Sequence, residues 1–365
     1  MENYRKLDLQ HGGVLRMFIS QKSLYKTQMG EAYVGDSLEL LTKLPPESVD
    51  LVITSPPFAL QRQKEYGNEN QDNYVDWLLS FAEPINRVLK PTGSFVLDLG
   101  GAYVRGRPIR SLYNFRVLLR LCDEYGFHLA EEFFWHNPAK LPSPIEWVNK
   151  RKIRVKDSVN TIWWLSKTDF PKADVRNVLT PYSERMKKLL GDSKRFYRPK
   201  KRPSGHDISS KFASSNGGAI PPNLLQISNT ESNSQYLRYC TTVGIKSHPA
   251  RFPEKLPAFF IQFLTEHGDA VLDIFAGSNT TGAAAEQAGR RWIAFEKDKN
   301  YLLASMFRFI DELSTDELVE FWDNALFSKN TIEIMRRQQE MVLMEDVVNY
   351  KAQSNLNVKR NRIAR

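Results

Sequence analysis

The amino-acid sequence predicts an α/β fold in which a mainly parallel, twisted β-sheet is covered by helices on both faces. Two observations support this prediction. Short apolar runs, such as VDLVI at residues 49–53, alternate with segments that have the spacing of amphipathic helices. In addition, residues 270–288 change from an apolar strand through a turn of small residues to an alanine-rich helix. Parallel strands require such crossover connections, so the alternation favours a parallel sheet.

The first half of the chain contains repeated steps of strand and helix. Residues 31–53 are predicted to form a short strand, a leucine-rich helix, a Pro-Pro break and the strand VDLVI. Helical spacing then extends from Tyr74 to Leu89, where Pro91 and Gly93 end it, and SFVLDLG at 94–100 predicts the next buried strand. A helix near residues 114–125 leads into the strand FHLAEEFFW.

After Trp164 the pattern changes, because residues 168–235 are rich in Lys, Arg, Ser, Asn, Pro and Gly and show no sustained period. We interpret them as long loops with short elements, a recognition insert. Regular structure resumes with a helix in 252–268, followed by strand, turn, helix and the strand WIAFE. The C-terminal part, roughly 315–350, is predicted to be helical, and the last stretch is a basic tail.

The composition is that of a soluble globular protein, since 41% of the 365 residues are hydrophobic and 25% are charged. Disorder of the bulk is therefore excluded. The two cysteines, Cys122 and Cys240, provide neither a disulfide framework nor the spacing of a zinc site. No stretch approaches the roughly 20 apolar residues that span a bilayer. We expect a cytoplasmic protein that is neither exported nor embedded in a membrane.

Positive charge is concentrated in one segment. The formal charge of the chain is +9, but residues 140–202 contain 18 Lys and Arg against 6 Asp and Glu, so this segment alone carries +12. Aromatic residues are interleaved with these cations: Trp147, Trp163, Trp164, Phe196 and Tyr197. The combination is typical of a surface that binds a polyanion such as nucleic acid, although a basic run by itself is equally compatible with a solvated charged face.

The first motif that indicates chemistry is DIFAGSNTTG, from Asp273 to Gly282. A strand that turns through small residues into a helix places backbone N–H groups around a ligand and allows its close approach. Glu296, 23 residues after Asp273, ends the next strand, where an acidic residue is the usual partner of ribose hydroxyls. The motif therefore predicts a dinucleotide or adenosylmethionine site, with a purely structural turn as the alternative.

The second motif is the tetrapeptide from Ser55 to Phe58, SPPF, directly after the strand VDLVIT. Its two prolines fix φ near −65° and remove two donors, so the loop leaves the sheet as a stiff ledge with outward carbonyls. Such a ledge suits a pocket that accepts hydrogen bonds from an exocyclic amine. An ordinary Pro-Pro loop is the alternative, but the carboxyl end of a central strand is where α/β sheets place ligands.

Together these motifs resemble the beta-class DNA amino-methyltransferases, and most closely the PvuII-type cytosine-N4 methyltransferases, over roughly residues 30–310. The segments that carry the resemblance are GDSLELL, TSPPFALQR, KEYGN, LPSPIEWVNKRKIRVKD, RPSGHDI, IPPNLLQISN, HPARFP and DIFAGSNTTG. The resemblance implies a Rossmann-like methyltransferase fold with a circularly permuted motif order and a target-recognition insert. It also implies S-adenosylmethionine as cofactor, no metal, and duplex DNA as substrate.

The resemblance assigns roles to individual residues. Ser55, Pro56, Pro57 and Phe58 would form the catalytic loop. The cofactor pocket would comprise Asp36, Asp273, Phe275, Ala276, Gly277, Ser278, Asn279, Thr280, Glu296, His248 and Pro249. For His248, a structural core role is as compatible with the sequence as direct contact. Asn279 replaces a glycine found in many members, and Asn is the non-glycine residue that best tolerates positive φ.

The expected reaction is methyl transfer to N4 of a flipped cytosine, in which Ser55 Oγ and the Pro56 carbonyl accept hydrogen bonds from the amine. Methylation at cytosine C5 is disfavoured because it needs a thiolate in a Pro-Cys loop, whereas Cys122 follows Leu121 and Cys240 follows Tyr239. Serine at position 55 is the family's usual sign for cytosine. Adenine-N6 methylation, a non-catalytic DNA-binding protein, and a methyltransferase acting on RNA or protein glutamine remain alternatives.

Five cations in the basic segment are the candidate DNA contacts: Lys150, Arg151, Lys152, Arg154 and Lys156. The resemblance implies CAGCTG or a close relative as target, and a functional rather than physical pairing with a restriction endonuclease. We expect a monomer, with a homodimer as the alternative. The predicted division is an N-terminal extension (1–30), a catalytic part (31–139), a recognition region (140–245), a cofactor-binding part (246–310) and a C-terminal helical extension with a basic tail (311–365).

Overall fold

The computed structural model describes residues 19, 21–58, 73–192, 214–230 and 234–335. Within them one sheet of ten strands forms the centre of the molecule. The strands are β1 Tyr25–Lys26, β2 Gly30–Val34, β3 Val49–Thr54, β4 Leu89–Leu99, β5 His128–His136, β6 Val159–Ser166, β7 Leu224–Gln226, β8 Ala270–Asp273, β9 Arg291–Glu296 and β10 Ile332–Glu333.

The described α-helices are α1 Ser37–Thr42, α2 Tyr74–Leu79, α3 Ala82–Val88, α4 Tyr113–Asp123, α5 Glu184–Gly191, α6 Gln235–Thr242, α7 Lys255–Leu264, α8 Thr280–Gln287, α9 Lys299–Ser305 and α10 Thr315–Phe327. A π-helical turn spans Glu146–Lys150, and 3₁₀ turns span Val175–Val178 and Met306–Arg308. None of the helices in the described ranges is long and apolar enough to cross a membrane.

The strand order is β10-β1-β2-β9-β8-β3-β4-β6-β5-β7. The five central strands, from β2 to β4, are parallel. Antiparallel pairs occur where β1 joins β2 and where β6 joins β4 and β5. The predicted mixed α/β fold with a mainly parallel sheet is therefore confirmed.

The central strands are buried at nearly every position, and successive residues belong to different core clusters, which shows that both faces of the sheet are covered. In β9, Trp292 and Ala294 belong to one core cluster, which also contains residues of α6 to α10. Ile293 and Phe295 point to the opposite face and belong to a second cluster with residues of α1 to α4. Because successive side chains of a strand point to opposite faces, a strand that is apolar at every position needs helices on both sides.

Three predicted boundaries are wrong. The helical run predicted from Tyr74 to Leu89 is two helices, separated at Ser80 and Phe81, and β4 already begins at Leu89. Pro91 and Gly93 lie inside β4 rather than before it, because the register to β3 shifts there and exposes Pro91, which has no N–H to donate. The C-terminal helix ends at Phe327, not near residue 350; β10 follows, and residues 336–350 lie outside the described part of the chain.

The long segment after β6 has the short elements that the sequence predicts, namely a 3₁₀ turn, α5 and β7. Residues 193–213 and 231–233 lie outside the described ranges, and with them the aromatic residues Phe196 and Tyr197. Strands β6 and β7 come from the predicted recognition region, residues 140–245, yet they pair within the central sheet. Trp163 and Trp164 are accordingly buried in the core and are not part of a basic surface.

Candidate active site

A cleft of about 600 Å³ opens where the central strands end. Strands β3 and β8 are neighbours and parallel, so the segments that follow them meet at one edge of the sheet. The Thr54 hydroxyl donates a 2.7 Å hydrogen bond to Asp273 Oδ1 at this point. The cleft is lined on one side by Ser55, Pro56, Pro57 and Phe58 and on another by residues 274–278 and Thr280. The two motifs that the sequence singles out thus face one shared cavity.

Ser55 is held by a buried carboxylate. Its Oγ donates a 3.0 Å hydrogen bond to Asp98 Oδ2, and Asn160 Nδ2 donates to Asp98 Oδ1 over 3.3 Å. Asp98 is only 5% exposed, and this burial raises the pKa of its carboxyl to about 6, although the hydrogen bonds from Ser55 and Asn160 and the charge of Lys140 act in the opposite direction. The carboxylate is therefore poised to exchange a proton near neutral pH.

Aromatic side chains surround this end of the cleft. The Phe58 ring lies against Gly100, where a Cβ atom would be 2.5 Å from Phe58 Cε2, so position 100 has to be glycine for the ring to reach this place. Trp135 in β5 is paired with Asn160 across the strand register, and both line the cleft. Phe252 also lines it. We call this group, with Ser55 and Asp98, the base end of the cleft.

The turn after β8 is fixed by Asp273, which is buried beneath it. Its carboxylate accepts hydrogen bonds from the hydroxyls of Thr54 and Thr281 and from the Phe275 N–H, at 2.7, 2.6 and 3.0 Å. Burial raises the pKa of this carboxyl. Asp273 does not line the cleft. Its observed role is to join the strand ends, and its predicted cofactor contact stays a prediction.

Gly277 and Asn279 both take left-handed backbone conformations, with φ of +52° and +51°. At Asn279 the sequence predicts this tolerance, and the structure confirms it. The Asn279 side chain is fully buried and points into the protein: Oδ1 accepts from the Gly282 N–H at 3.0 Å and caps α8, while Nδ2 donates to Tyr25 Oη at 2.8 Å. Ser278 and Thr280, on either side, do line the cleft.

Three acidic residues line the cleft near this turn. Glu296, at the end of β9, accepts hydrogen bonds from the backbone N–H groups of Gly277 and Asp298, at 2.8 and 2.9 Å, and its burial raises the pKa of its carboxyl. Asp36 caps α1 through the Leu38 N–H at 2.9 Å. Both line the cavity, as does Asp298. Glu296, the predicted ribose contact, and Asp36, the acidic residue after β2, therefore line the same cavity as the turn after β8.

The His248 imidazole covers this turn. A Cβ atom at Gly277 would lie 3.0–3.2 Å from its ring atoms, and the ring packs edge-on against Tyr301 with a centroid distance of 4.6 Å. The pKa of His248 is lowered to about 4, mainly by burial, so the ring is neutral at pH 7. Its Nδ1 then donates to the Ala250 carbonyl at 2.6 Å. Pro249 is exposed and does not line the cleft.

Several cleft residues are missing from the sequence-based assignment. Asp98, Asn160 and Trp135 form much of the base end. Trp77 and Phe81 line the opposite end, where their rings contact Phe275 at centroid distances of 5.6 and 5.1 Å. Two features of the sequence could have indicated these residues. Asp98 is a lone carboxylate near the end of the apolar strand SFVLDLG, and Trp77 and Phe81 are aromatic residues four positions apart.

The five candidate DNA contacts lie on the connection between β5 and β6, outside the cleft lining, and all are exposed. Lys150 and Arg151 form ion pairs with Glu146, at 3.3 and 3.0 Å. Arg154 and Lys156 donate to backbone carbonyls. Lys152, at φ +54°, has no ion-pair partner in the described part of the chain. In the same ranges no cluster of three metal-ligating side chains occurs.

Comparison with known proteins agrees with this geometry. A family model described as DNA methylase (N6_N4_Mtase) matches residues 49–307. The type II methyltransferase M.PvuII of Proteus hauseri is 62% identical over 307 residues, which are 84% of this chain and 91% of that protein. M.BglII of Bacillus subtilis is 25% identical over 280 residues, 77% of this chain and 69% of that protein.

A solved structure supports the same assignment. The PvuII DNA methyltransferase (cytosine-N4-specific) superposes with a TM-score of 0.70 and 53% sequence identity. The superposition covers 86% of this chain and 98% of that one. With the family match over more than half of its length, the chain belongs to the N6/N4 DNA methylase family.

Proposed function

We propose that the chain is a site-specific DNA methyltransferase that moves a methyl group from S-adenosylmethionine to N4 of a cytosine in duplex DNA. The observation that carries the proposal is the Ser55 hydroxyl, held by Asp98 at 3.0 Å and facing the turn after β8 across one cleft. The similarity to M.PvuII and to the cytosine-N4-specific PvuII structure supports cytosine N4 as the acceptor. The resemblance of the sequence motifs to the PvuII-type enzymes implies CAGCTG or a close relative as the target.

The chemistry of the cleft fits S-adenosylmethionine, whose sulfonium and ammonium outweigh its one carboxylate. Four carboxylates line the cavity, those of Asp36, Asp98, Glu296 and Asp298, against two cations, Arg251 and Lys297. Gly277 allows the turn to pass beneath the His248 ring, since a Cβ atom there would lie 3.0–3.2 Å from it. Glu296 would hold the ribose, and the aromatic group around Phe275 would face the adenine. When bound, the cofactor supplies an electrophilic methyl group.

The residues at the base end activate the acceptor. The lone pair of a cytosine amine is delocalised into the ring, so the amine becomes nucleophilic only when acceptors hold its protons and let it pyramidalise. Ser55 Oγ donates to Asp98 and keeps its lone pairs for an N4–H bond. When the methyl group would leave the cofactor sulfur, which keeps the electrons of the broken C–S bond as neutral S-adenosylhomocysteine, N4 would lose one proton. This proton would pass to Ser55 Oγ while the Ser55 proton passes to Asp98. Phe58 stacks on the flipped base.

Methylation at cytosine C5 is disfavoured by the same structure. That reaction requires a thiolate nucleophile in the cleft. Cys122 and Cys240 are not among the residues that line it. Burial is the main cause of the raised pKa of both thiols. The pKa of the Cys240 thiol is raised to about 11. Adenine N6 remains the runner-up acceptor, since the Ser55–Phe58 loop would hold its amine in the same way.

The cellular setting follows from the relatives. M.PvuII is a type II methyltransferase, so protection of CAGCTG sites from a restriction endonuclease, without physical contact between the two proteins, is part of the proposal. A monomer in the cytoplasm is sufficient for it, because one cleft modifies one strand at a time.

The test uses the full chain with S-adenosylmethionine and two duplexes of equal composition, one with a single CAGCTG site and one with that site permuted to CTGCAG. Digested products are analysed for modified nucleosides by mass spectrometry. N4-methylcytosine only in the first duplex supports the proposal. N6-methyladenine establishes the runner-up, equal methylation of both duplexes rejects the target, and no methylation of either contradicts the enzymatic function.

A further inference from the structure

The connection between β5 and β6, residues 137–158, combines cations with exposed aliphatic side chains, and we call it the basic lobe. Its six Lys and Arg residues stand against two carboxylates, Glu146 and Asp157. Four aliphatic residues are exposed within the same short segment: Leu141 (80%), Ile145 (63%), Ile153 (48%) and Val155 (86%). Single exposed aliphatic residues are common on protein surfaces, whereas a group of them within a cationic surface indicates a binding partner.

The backbone of the lobe is fixed by its own contacts, so this exposure is not the result of an open chain. Trp147 is buried beneath Arg151, whose guanidinium lies 5.1 Å from the indole centroid, and the Ile153 N–H donates to the Trp147 carbonyl at 2.9 Å. The Asp157 N–H donates to the Ser143 carbonyl at 2.9 Å. The lobe thus has a small core of its own, and Leu141 and Val155 are left outside it.

The two most exposed aliphatic residues belong to adjoining arms of the lobe. Lys156 Nζ donates to the carbonyls of Pro138 and Lys140, at 3.1 and 3.3 Å, which joins the outgoing and returning arms. Leu141 directly follows Lys140, and Val155 directly precedes Lys156. Both side chains therefore stand where the arms are cross-linked, on a framework that resists displacement.

The lobe is rooted at the base end of the cleft. Trp135 and Asn160, each two residues from an end of the lobe, are a cross-strand pair, and both line the cavity. Arg110 binds Asp157 through two hydrogen bonds of 2.7 and 2.9 Å, which attaches the lobe to the loop that follows β4. β4 is the strand that carries Asp98.

We propose that Leu141 and Val155 form an apolar wedge that enters the DNA base stack next to the target cytosine when that base occupies the cleft. This inference rests on the proposed function. A base that leaves the duplex exposes the faces of its neighbours, and an inserted aliphatic side chain covers them. Duplex DNA is the occupant that the charges favour, because both carboxylates of the lobe are already paired, Glu146 with Lys150 and Arg151 and Asp157 with Arg110.

The test compares the full-length chain with its Leu141→Ser/Val155→Ser variant on two duplexes. One duplex has the normal CAGCTG site, and in the other the methylated cytosine stands opposite an abasic position, so that it leaves the stack easily. Single-turnover methylation is measured with saturating S-adenosylmethionine. We expect the variant to be slower on the paired duplex by roughly tenfold or more and by less than about twofold on the abasic one.

Phe327→Ser is the matched control, because this residue is 78% exposed and lies outside the recognition region, the lobe and the cleft. It should leave both rates unchanged. If the double variant folds poorly, the single variants Leu141→Ser and Val155→Ser replace it. Each should be slowed more on the paired duplex than on the abasic one. Equal slowing on both duplexes, or no slowing on either, overturns the wedge. A wild-type chain that methylates neither duplex contradicts the proposed function itself and the wedge with it.

Discussion

Ser55 donates its hydroxyl proton to Asp98, so its oxygen remains an acceptor at the entrance of the base end. Ser55→Ala removes that acceptor and breaks the connection between the amine and the carboxylate. We expect single-turnover methylation to fall by about 10²–10³, whereas the Kd for S-adenosylmethionine measured by calorimetry stays the same. Ser80→Ala, which removes a hydroxyl bonded only to the Trp77 carbonyl on the surface, is the control. Normal turnover of Ser55→Ala would exclude Ser55 from the mechanism.

Asp98 makes the reaction dependent on pH. Burial raises the pKa of its carboxyl to about 6, and only the ionised form can take the proton that Ser55 relays. The single-turnover rate should therefore rise with pH up to about 6 and be constant above that value. In Asp98→Asn the remaining rate should be low and independent of pH across this range. If the rate of the Asp98→Asn variant still rises with pH, a group other than Asp98 is responsible for the pH dependence.

The same carboxylate should reduce the stability of the fold at neutral pH. Its pKa is about 6 in the folded protein against 3.8 for an ordinary aspartate, so the folded state binds the proton more tightly. The stabilisation is fully present below about pH 4 and is lost as the pH rises through 6, a loss of about 3 kcal/mol. In urea unfolding, Asp98→Asn should gain stability relative to the wild type between pH 5 and pH 8. A stability difference between variant and wild type that is the same at pH 5 and at pH 8 would contradict this assignment.

The turn between β8 and α8 depends on Asn279, which combines a left-handed backbone with two buried hydrogen bonds. Asn279→Ala loses the cap on the Gly282 N–H and the bond to Tyr25, and it leaves a methyl group in a conformation that disfavours it. We expect a loss of about 2–4 kcal/mol in chemical denaturation. Asn279→Gly keeps the backbone conformation and should lose only about half as much. If the two variants were equally unstable, backbone conformation would not contribute.

Elements with a strong local signal could be predicted from the sequence, and those formed by distant pairing could not. The strands β3, β8 and β9 are apolar at nearly every position because helices cover both faces, and each was predicted as a strand. The SPPF and DIFAGSNTTG motifs that follow β3 and β8 contribute residues to one cleft. By contrast, β1 and β10 have two residues each and exist because Tyr25 pairs with Ile332. No local period can indicate such a pair.

The candidate site shows the same limit. Ser55 and Asp98 are 43 residues apart and meet because β3 and β4 are adjacent, a neighbourhood that the sequence alone does not define. Asn160 reaches Asp98 only because β6 runs antiparallel beside β4. The family resemblance supplied the catalytic tetrapeptide and the cofactor turn, but the carboxylate that completes the base end required the sheet order.

At the scale of the whole molecule, opposite charges serve the two predicted ligands. The cleft is acidic, whereas the +12 segment carries the excess positive charge of the chain. Because the basic lobe and the cleft share the ends of β5 and β6, a duplex bound as proposed to the lobe would lie next to the base end. Affinity for DNA and the chemical step should therefore respond separately to substitution.

Lys152 and Lys150 allow this separation to be tested with two matched variants. A cation that contacts phosphate releases counterions, so its loss lowers the slope of log K against log salt by about 0.9. Lys152→Gln should show this full decrease, because Lys152 has no ion-pair partner in the described ranges. Lys150→Gln should show less, since Glu146 already neutralises part of that charge over 3.3 Å. Salt titrations of duplex binding measure both slopes, and methylation at saturating DNA should stay constant in both variants. Equal slopes would mean that the Glu146 pair opens on binding, in which case Lys150 and Lys152 contact phosphate alike.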